Sequence, residues 1–279
     1  QPAAGDAGGS LGAALAFWYI QKNNPRKIDS SDSMNGSYLG PKYTQDQIEE
    51  DLTKLGAVYT TVSEDELIEI TAEDLSNGKA VGWFQGRMEF GPRALGARSI
   101  LGDPRSPSMQ KTLNLKIKFR ESFRPFAPSI LKDDLSDWFD IKSESPYMLM
   151  VAKINSKKII KMNDKEKKLF GIEKLNIRRS NIPAVTHIDY TARIQTVTKK
   201  TNKKYFKLLN KFKSKTGCPL LINTSFNIRG EPIVNTPAEA FNCFLGTELD
   251  ILVIGNCYLD KKKQNPLLKK DYTKEFELD

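Results

Sequence analysis

The chain carries a single histidine, His187, in 279 residues. A metal centre built from several imidazoles is thereby excluded from it. Cysteine is also scarce: Cys218, Cys243 and Cys257, an odd number without paired spacing. That argues against a disulfide framework and for a reducing, cytoplasmic location. Long apolar runs are missing. The longest, residues 11–20, falls short of the ~18 residues a membrane span requires and contains the small residues of a packed helix. No membrane partner is expected. The N-terminus lacks the basic start and cleavage pattern of a signal peptide. There is no Walker A loop, no cysteine pair at zinc spacing, no His-Glu-x-x-His and no readable Ser-His-Asp set.

What is present describes an ordinary globular protein: 39% hydrophobic and 28% charged residues. The length suits one large domain or two smaller ones. Forty-three Lys and Arg against 34 Asp and Glu leave a net charge of +9. That excess permits nucleotides, phosphate esters, nucleic acid or membrane surfaces as partners without choosing among them. Much of the Lys lies in Lys-, Asn- and Ile-rich stretches, which a base-biased genome explains equally well. The Arg residues are the more informative cations.

Several elements are legible. A Gly-rich turn, Ala3-Ala4-Gly5-Asp6-Ala7-Gly8-Gly9, leads into a helix-favouring stretch over residues 11–18. Residues 22–43 read as a polar connection. Ile48, Leu52 and Leu55 fall at helical spacing, with Thr44 as N-cap and Gly56 as stop. A short helix is expected over 67–75, and a buried strand over 80–84. Residues 151–180 hold ten basic and three acidic residues and read as an exposed excursion. Residues 199–215 hold eight Lys and no acid. There Tyr205, Leu208, Leu209 and Phe212 predict an amphipathic helix with a solvated Lys face, favoured over a nucleic-acid surface. A strand is expected over 220–223. Thr236, Pro237 and Glu239 announce the helix 237–245. A last buried strand is expected over 249–254.

Chemistry concentrates in three segments. Residues 86–128 contain Arg87, Arg93, Arg98, Arg105, Lys111, Lys116, Lys118, Arg120 and Arg124, offset only by Glu89, Asp103 and Glu121. Arg presents a planar fork that matches oxyanions. Several Arg beside Gly and Pro, as in Gly91-Pro92-Arg93-Ala94-Leu95-Gly96, point to fixed loops aimed at an anion. Residues 217–237 run from a strand into Asn223-Thr224-Ser225-Phe226-Asn227. Such a strand end either hydrogen-bonds phosphate or adenine, or closes an Asx-type turn. In residues 183–197, alternation puts Arg193 and Gln195 on one strand face. His187 and Asp189 lie just upstream.

The pieces GRMEFGPRALGARSILGDPR, KFRESFRPFAPS, PAVTHIDYTARIQTV and TGCPLLINTSFNIRGEPIVNTP cover most of residues 82–257. They resemble the C-terminal domain of the O-carbamoyltransferase family that includes nodulation protein U. The opening PAAGDAGGSLGAALA resembles the end of that family's Kae1-like N-terminal domain. The resemblance implies an α/β (α+β) fold: a YrdC-like twisted mixed sheet with flanking helices, preceded by a helical remnant. It implies a division into residues 1–38, tail and linker, and 39–279, the C-terminal domain.

The resemblance also implies chemistry. Carbamoyl phosphate and ATP, with Mg²⁺, would give a carbamoyl adenylate. The Kae1-like domain would then pass the carbamoyl group to a hydroxyl-bearing small-molecule acceptor. Two polyanions must be brought together, so fixed cations must offset their repulsion. The catalytic residues implied are Arg93, Lys118, Arg124 and Arg193. Arg120, His187, Gln195, Asn223, Ser225 and Asn227 would line the substrates. Asp6 matches a metal-binding Asp, but the HxxxH helix that completes that site is missing from this sequence. Iron or another divalent metal is therefore expected only in a full-length protein. The chain reads as its C-terminal portion, performing adenylation and needing the N-terminal domain for transfer. Two alternatives stand beside this: a nucleic-acid-binding YrdC-like module, disfavoured because Tyr205, Phe206 and Phe212 among the lysines of 199–215 fit a core stripe better, and a threonylcarbamoyl-adenylate synthase, which the residue match disfavours. The acceptor is not legible. A homodimer stays open.

Overall fold

A computed structural model of the chain describes residues 3, 5, 7–27, 32–269, 271, 272 and 276. Ten strands occur in the described residues: β1 Thr60–Thr61, β2 Val81–Phe84, β3 Arg98–Gly102, β4 Ala127–Leu131 and β5 Phe139–Asp140, then β6 Met150–Ile154, β7 Thr191–Val197, β8 Leu220–Ser225, β9 Ile251–Ile254 and β10 Cys257–Asp260. They form one mixed sheet in the order β1-β10-β9-β2-β3-β8-β4-β7-β6-β5. β2 runs parallel to β9, and β4 parallel to β7. The other neighbours are antiparallel. The α/β class and the mixed sheet with flanking helices match the sequence reading.

The central strands are buried on both faces, which explains their unbroken apolar runs. The helix Lys203–Thr216 packs on β4 and β8 and lies against the helix Glu64–Ser76. Its Tyr205, Leu208, Leu209 and Phe212 are fully buried, as the helical spacing predicts. The helix Pro237–Gly246 covers β2 and β9 and meets the helix Gln45–Lys54. Both Thr44 with Gln47 and Thr236 with Glu239 form complete capping boxes, so two helix starts legible in the sequence are confirmed. The three cysteines are free and buried.

Four expectations need correction. The helix expected over 67–75 begins earlier, at Glu64, because Ser63 caps it by accepting a bond from the Glu66 amide. The strand expected over 220–223 continues to Ser225, where Ser99 of β3 pairs with it. The strand near 254 is not the last, since β10 folds back on β9 through a tight turn at Gly255. Residues 151–180 are not simply an excursion. β6 enters the sheet beside β7, and Arg179 is buried, with its guanidinium on the Lys174, Leu175 and Thr186 carbonyls. A charged side chain of this kind is buried only when carbonyl partners replace its water.

Candidate functional site

The register brings four strand ends together. β3 begins opposite the end of β8, Ser99 facing Ser225. β4 begins beside that same end, Ala127 facing Asn223. β7 runs parallel to β4, with Ser129 facing Gln195. The loop 86–97 enters β3 at this end of the sheet.

That loop is held from within. The buried Glu89 carboxylate accepts from the backbone amides of Leu95 and Ala97, both at 2.7 Å. Burial pushes its pKa up, while those bonds and Arg98 oppose the rise. The sheet holds the loop from below. Gln195 donates to the Leu95 carbonyl at 2.8 Å, and Asn223 to the Ala94 carbonyl at 3.0 Å. Ser129 joins these two side chains, donating to Gln195 at 2.6 Å and accepting from Asn223 at 3.0 Å. Gly96 is required for the fit. Its φ is +102°, and a Cβ there would lie 2.3 Å from the Tyr205 ring. The result is a fixed base for Arg93.

Arg93 and Arg193 are close enough to influence each other. Burial lowers the Arg193 pKa, and Arg93 lowers it further. Like charges brought together raise the energy of the site unless an anion sits between them. Among the described residues neither guanidinium has an ion pair or hydrogen bond. His187 is a neighbour: its Nδ1 lies 3.0 Å from Thr191 Oγ1, and burial first, with Arg193 contributing, lowers its pKa.

A second cationic group lies at the end of β8. Lys118 is buried, and its ammonium donates to the Ser225 carbonyl at 2.8 Å and the Asn227 carbonyl at 2.7 Å. Ser225 Oγ and Asn227 Oδ1 complete the cradle. Burial pulls Lys118 down to about 7, and the nearby Arg120 adds to this. The oxygen cradle favours the charged form. Phe119, next in sequence, has φ +47°, uncommon for a non-glycine residue, and turns the chain between Lys118 and Arg120.

Arg120 donates to Asn114 Oδ1 at 2.7 Å and lies over the Phe126 ring. Burial and the charge of Arg124 lower it to about 10. Arg124 itself is exposed and bonds Glu121 at 2.9 Å. Buried Asn114 also donates to the Ser122 and Arg124 carbonyls, and so shapes the whole turn.

The Arg-rich cluster therefore divides. Arg98 is structural: fully buried, 3.5 Å over the Phe84 ring, and bonded to four carbonyls. Arg105 is taken by Asp103 at 2.6 Å. Gln195 and Asn223, read as substrate-lining, hold the loop, while Asn223 Oδ1 has no partner among the described residues. Glu89, Asn114 and Ser129 were not singled out from sequence. The usable signals were an acid inside an Arg-Gly-Pro run and an Asn inside an apolar helical turn. Asp6 lies outside the described residues. Among the described residues no three His, Cys, Asp or Glu side chains converge as a metal site. No helix among them is long and apolar enough to cross a membrane.

The chain is similar to several known proteins. Uncharacterized protein sll1178 of Synechocystis is 53% identical over 100% of this chain and 46% of its own length. Nodulation protein NolNO of Sinorhizobium fredii is 38% identical over 95% of this chain and 36% of its own. The 3'-hydroxymethylcephem-O-carbamoyltransferase of Streptomyces clavuligerus is 33% identical over 66% of this chain and 31% of its own. The chain thus spans less than half the length of these relatives. The family model described as carbamoyltransferase C-terminus matches residues 72–261, which hold both cationic groups. The chain belongs to that carbamoyltransferase family.

Proposed function

We propose that this unit activates carbamoyl phosphate with ATP as carbamoyl adenylate, within an O-carbamoyltransferase. The observation that carries the reading is the Arg93–Arg193 pair, two adjacent cations without a carboxylate partner among the described residues. Such a pair suits a doubly charged phosphate group. In this reading Arg93 and Arg193 grip carbamoyl phosphate, with His187 at its edge. Water releases carbamate and inorganic phosphate. A carbamate oxygen then attacks the α-phosphorus of ATP; one P–O bond forms, and the bond to pyrophosphate breaks. Arg120 and Arg124 stabilise charge on the leaving pyrophosphate, with Mg²⁺ accompanying the nucleotide. Lys118 anchors the Ser225–Asn227 turn against them.

Residues 39–279 form this activating unit in the proposal. Residues 1–38 belong to a Kae1-like unit and linker. Transfer to a hydroxyl of a small acceptor, with any metal it uses, belongs to the rest of a longer cytoplasmic protein. The test mixes the purified chain with ATP, Mg²⁺ and carbamoyl phosphate and measures pyrophosphate. Release that depends on carbamoyl phosphate and is lost in Arg193→Ala supports the reading. Release unaffected by that change counts against it.

A further inference from the structure

A small cavity of about 90 Å³ borders the Arg120–Arg124 turn, away from the Arg93–Arg193 pair. Admitting one water takes ~10–15 Å³, so the space holds something larger. On one side it is walled by Gln110 and Lys111, together with Ser122 of the Arg120–Arg124 turn. On the other side it is walled by Asn176 and Arg178, from the Lys-rich stretch. Among the described residues that line it, none is acidic. Lys111 has no ion pair among the described residues, and Arg178 makes only a 3.4 Å bond to the Ser180 carbonyl. The Ser122 hydroxyl and the Asn176 amide add neutral donors.

Lys111 and Arg178 line the same cavity from opposite sides, and neither is paired with an acid among the described residues. An oxyanion in the cavity can accept from both side chains, and charge-assisted bonds are the stronger kind. We propose that this cavity is a binding site for a free phosphate-class oxyanion, distinct from the Arg93–Arg193 pair. It does not rest on the carbamoyl reading, since an anion can bind there without turnover. The long stretch 155–180 acquires a role in this view: it supplies half of the pocket.

The test is titration of the whole chain with inorganic phosphate, followed by calorimetry and by the backbone amide signals of Ser122 and Asn176. Lys111→Ala and Arg178→Ala should each weaken phosphate binding at this pocket about tenfold, the loss of one charge-assisted bond. The Ser122 and Asn176 signals should then stop responding to phosphate. Arg193→Ala should leave those signals responding as before. Because Lys111 and Arg178 are exposed, their replacement should leave the fold intact, and Ile172→Glu, which puts a negative charge into the lining, is a second way to block the pocket. Phosphate binding unchanged in all three variants overturns the proposal. So does loss of ATP binding in them with phosphate binding retained, which would make the pocket a nucleotide-tail site.

Discussion

Two cationic regions of this molecule differ in one respect, whether an acid already answers each charge. The helix Lys203–Thr216 sets three of its lysines against the acidic helix Glu64–Ser76. Lys207 meets Glu64 at 2.6 Å, Lys211 meets Glu69 at 2.7 Å, and Lys215 meets Glu69 and Glu73, both at 2.7 Å. Lys213 reaches Asp134 at 2.7 Å. A groove of about 670 Å³ over these helices is roomier than the oxyanion pocket, yet Lys207 and Lys211 in its lining are neutralised. At the sheet end, Arg93 and Arg193 lie near enough to influence each other, with no such answer among the described residues. The lesson is that the net charge of +9 is a poor guide to partners. Unanswered charge is the useful quantity, and here it is Arg, held on rigid backbone.

The largest separation between the regions should appear in activity. Arg193→Ala or Arg93→Ala should lower carbamoyl-phosphate-dependent pyrophosphate release by about 100- to 1000-fold, the usual effect of removing one preorganised charge donor. Lys211→Ala should leave the rate within about twofold. Equal losses in a pyrophosphate assay would erase the distinction between paired and unpaired cations.

Next comes the base of the Arg93 loop. Gly96→Ala adds a methyl group into the Tyr205 ring at a backbone angle that L-residues resist. The combined clash and strain should cost about 3 kcal/mol. Urea unfolding measures it, and a loss near zero would mean the loop is not wedged as described.

Lys118 sharpens the contrast by pH. Replacing it with Met leaves the Ser225 and Asn227 carbonyls without their donor, at a cost of about 2 kcal/mol. Burial pulls Lys118 from 10.5 to about 7, so between those values the unfolded chain binds the proton that the folded chain has released. Stability through this group therefore rises with pH from about 7 to 10.5. Unfolding measured from pH 6.5 to 9.5 should show a steeper rise in the native chain than in Lys118→Met, which keeps the similar contributions of partly buried Lys204 and Lys261.

The smallest effect belongs to the paired lysines. Bonds from Lys211 and then Lys215 hold Glu69 at about 2, below its ordinary 4.5. Its contribution is present above pH 4.5 and is lost as pH falls toward 2. The thermal midpoint should drop slightly more over that range in the native chain than in Glu69→Gln. High salt should remove the difference, because the pair is exposed.

Legibility followed the range of the interactions. Thr44 and Thr236 were readable as helix starts because a capping box lies within four consecutive residues. The buried stripe of Lys203–Thr216 was readable because its period is local. The Arg cluster was readable as a cluster, since several Arg beside Gly and Pro are unusual together. Its division was not. Arg98, Arg105 and Arg93 look alike in sequence, and they differ by whether a carbonyl, a carboxylate or, among the described residues, nothing meets them. Glu89, Asn114 and Ser129 went unread because each acts through backbone or side-chain groups that chain geometry alone does not place beside it.

The sequence by itself determined where the elements start and stop, which faces are apolar, and that cationic side chains crowd one long segment. Period, capping chemistry and glycine placement are properties of neighbours along the chain, so they survive without a fold. Only the tertiary structure decided which of those cations remain unanswered. Pairing depends on the register that sets β3, β4, β7 and β8 side by side and on the packing that lays an acidic helix over a basic one. Both are contacts between residues far apart in the chain, and the electrostatics of the site is their product.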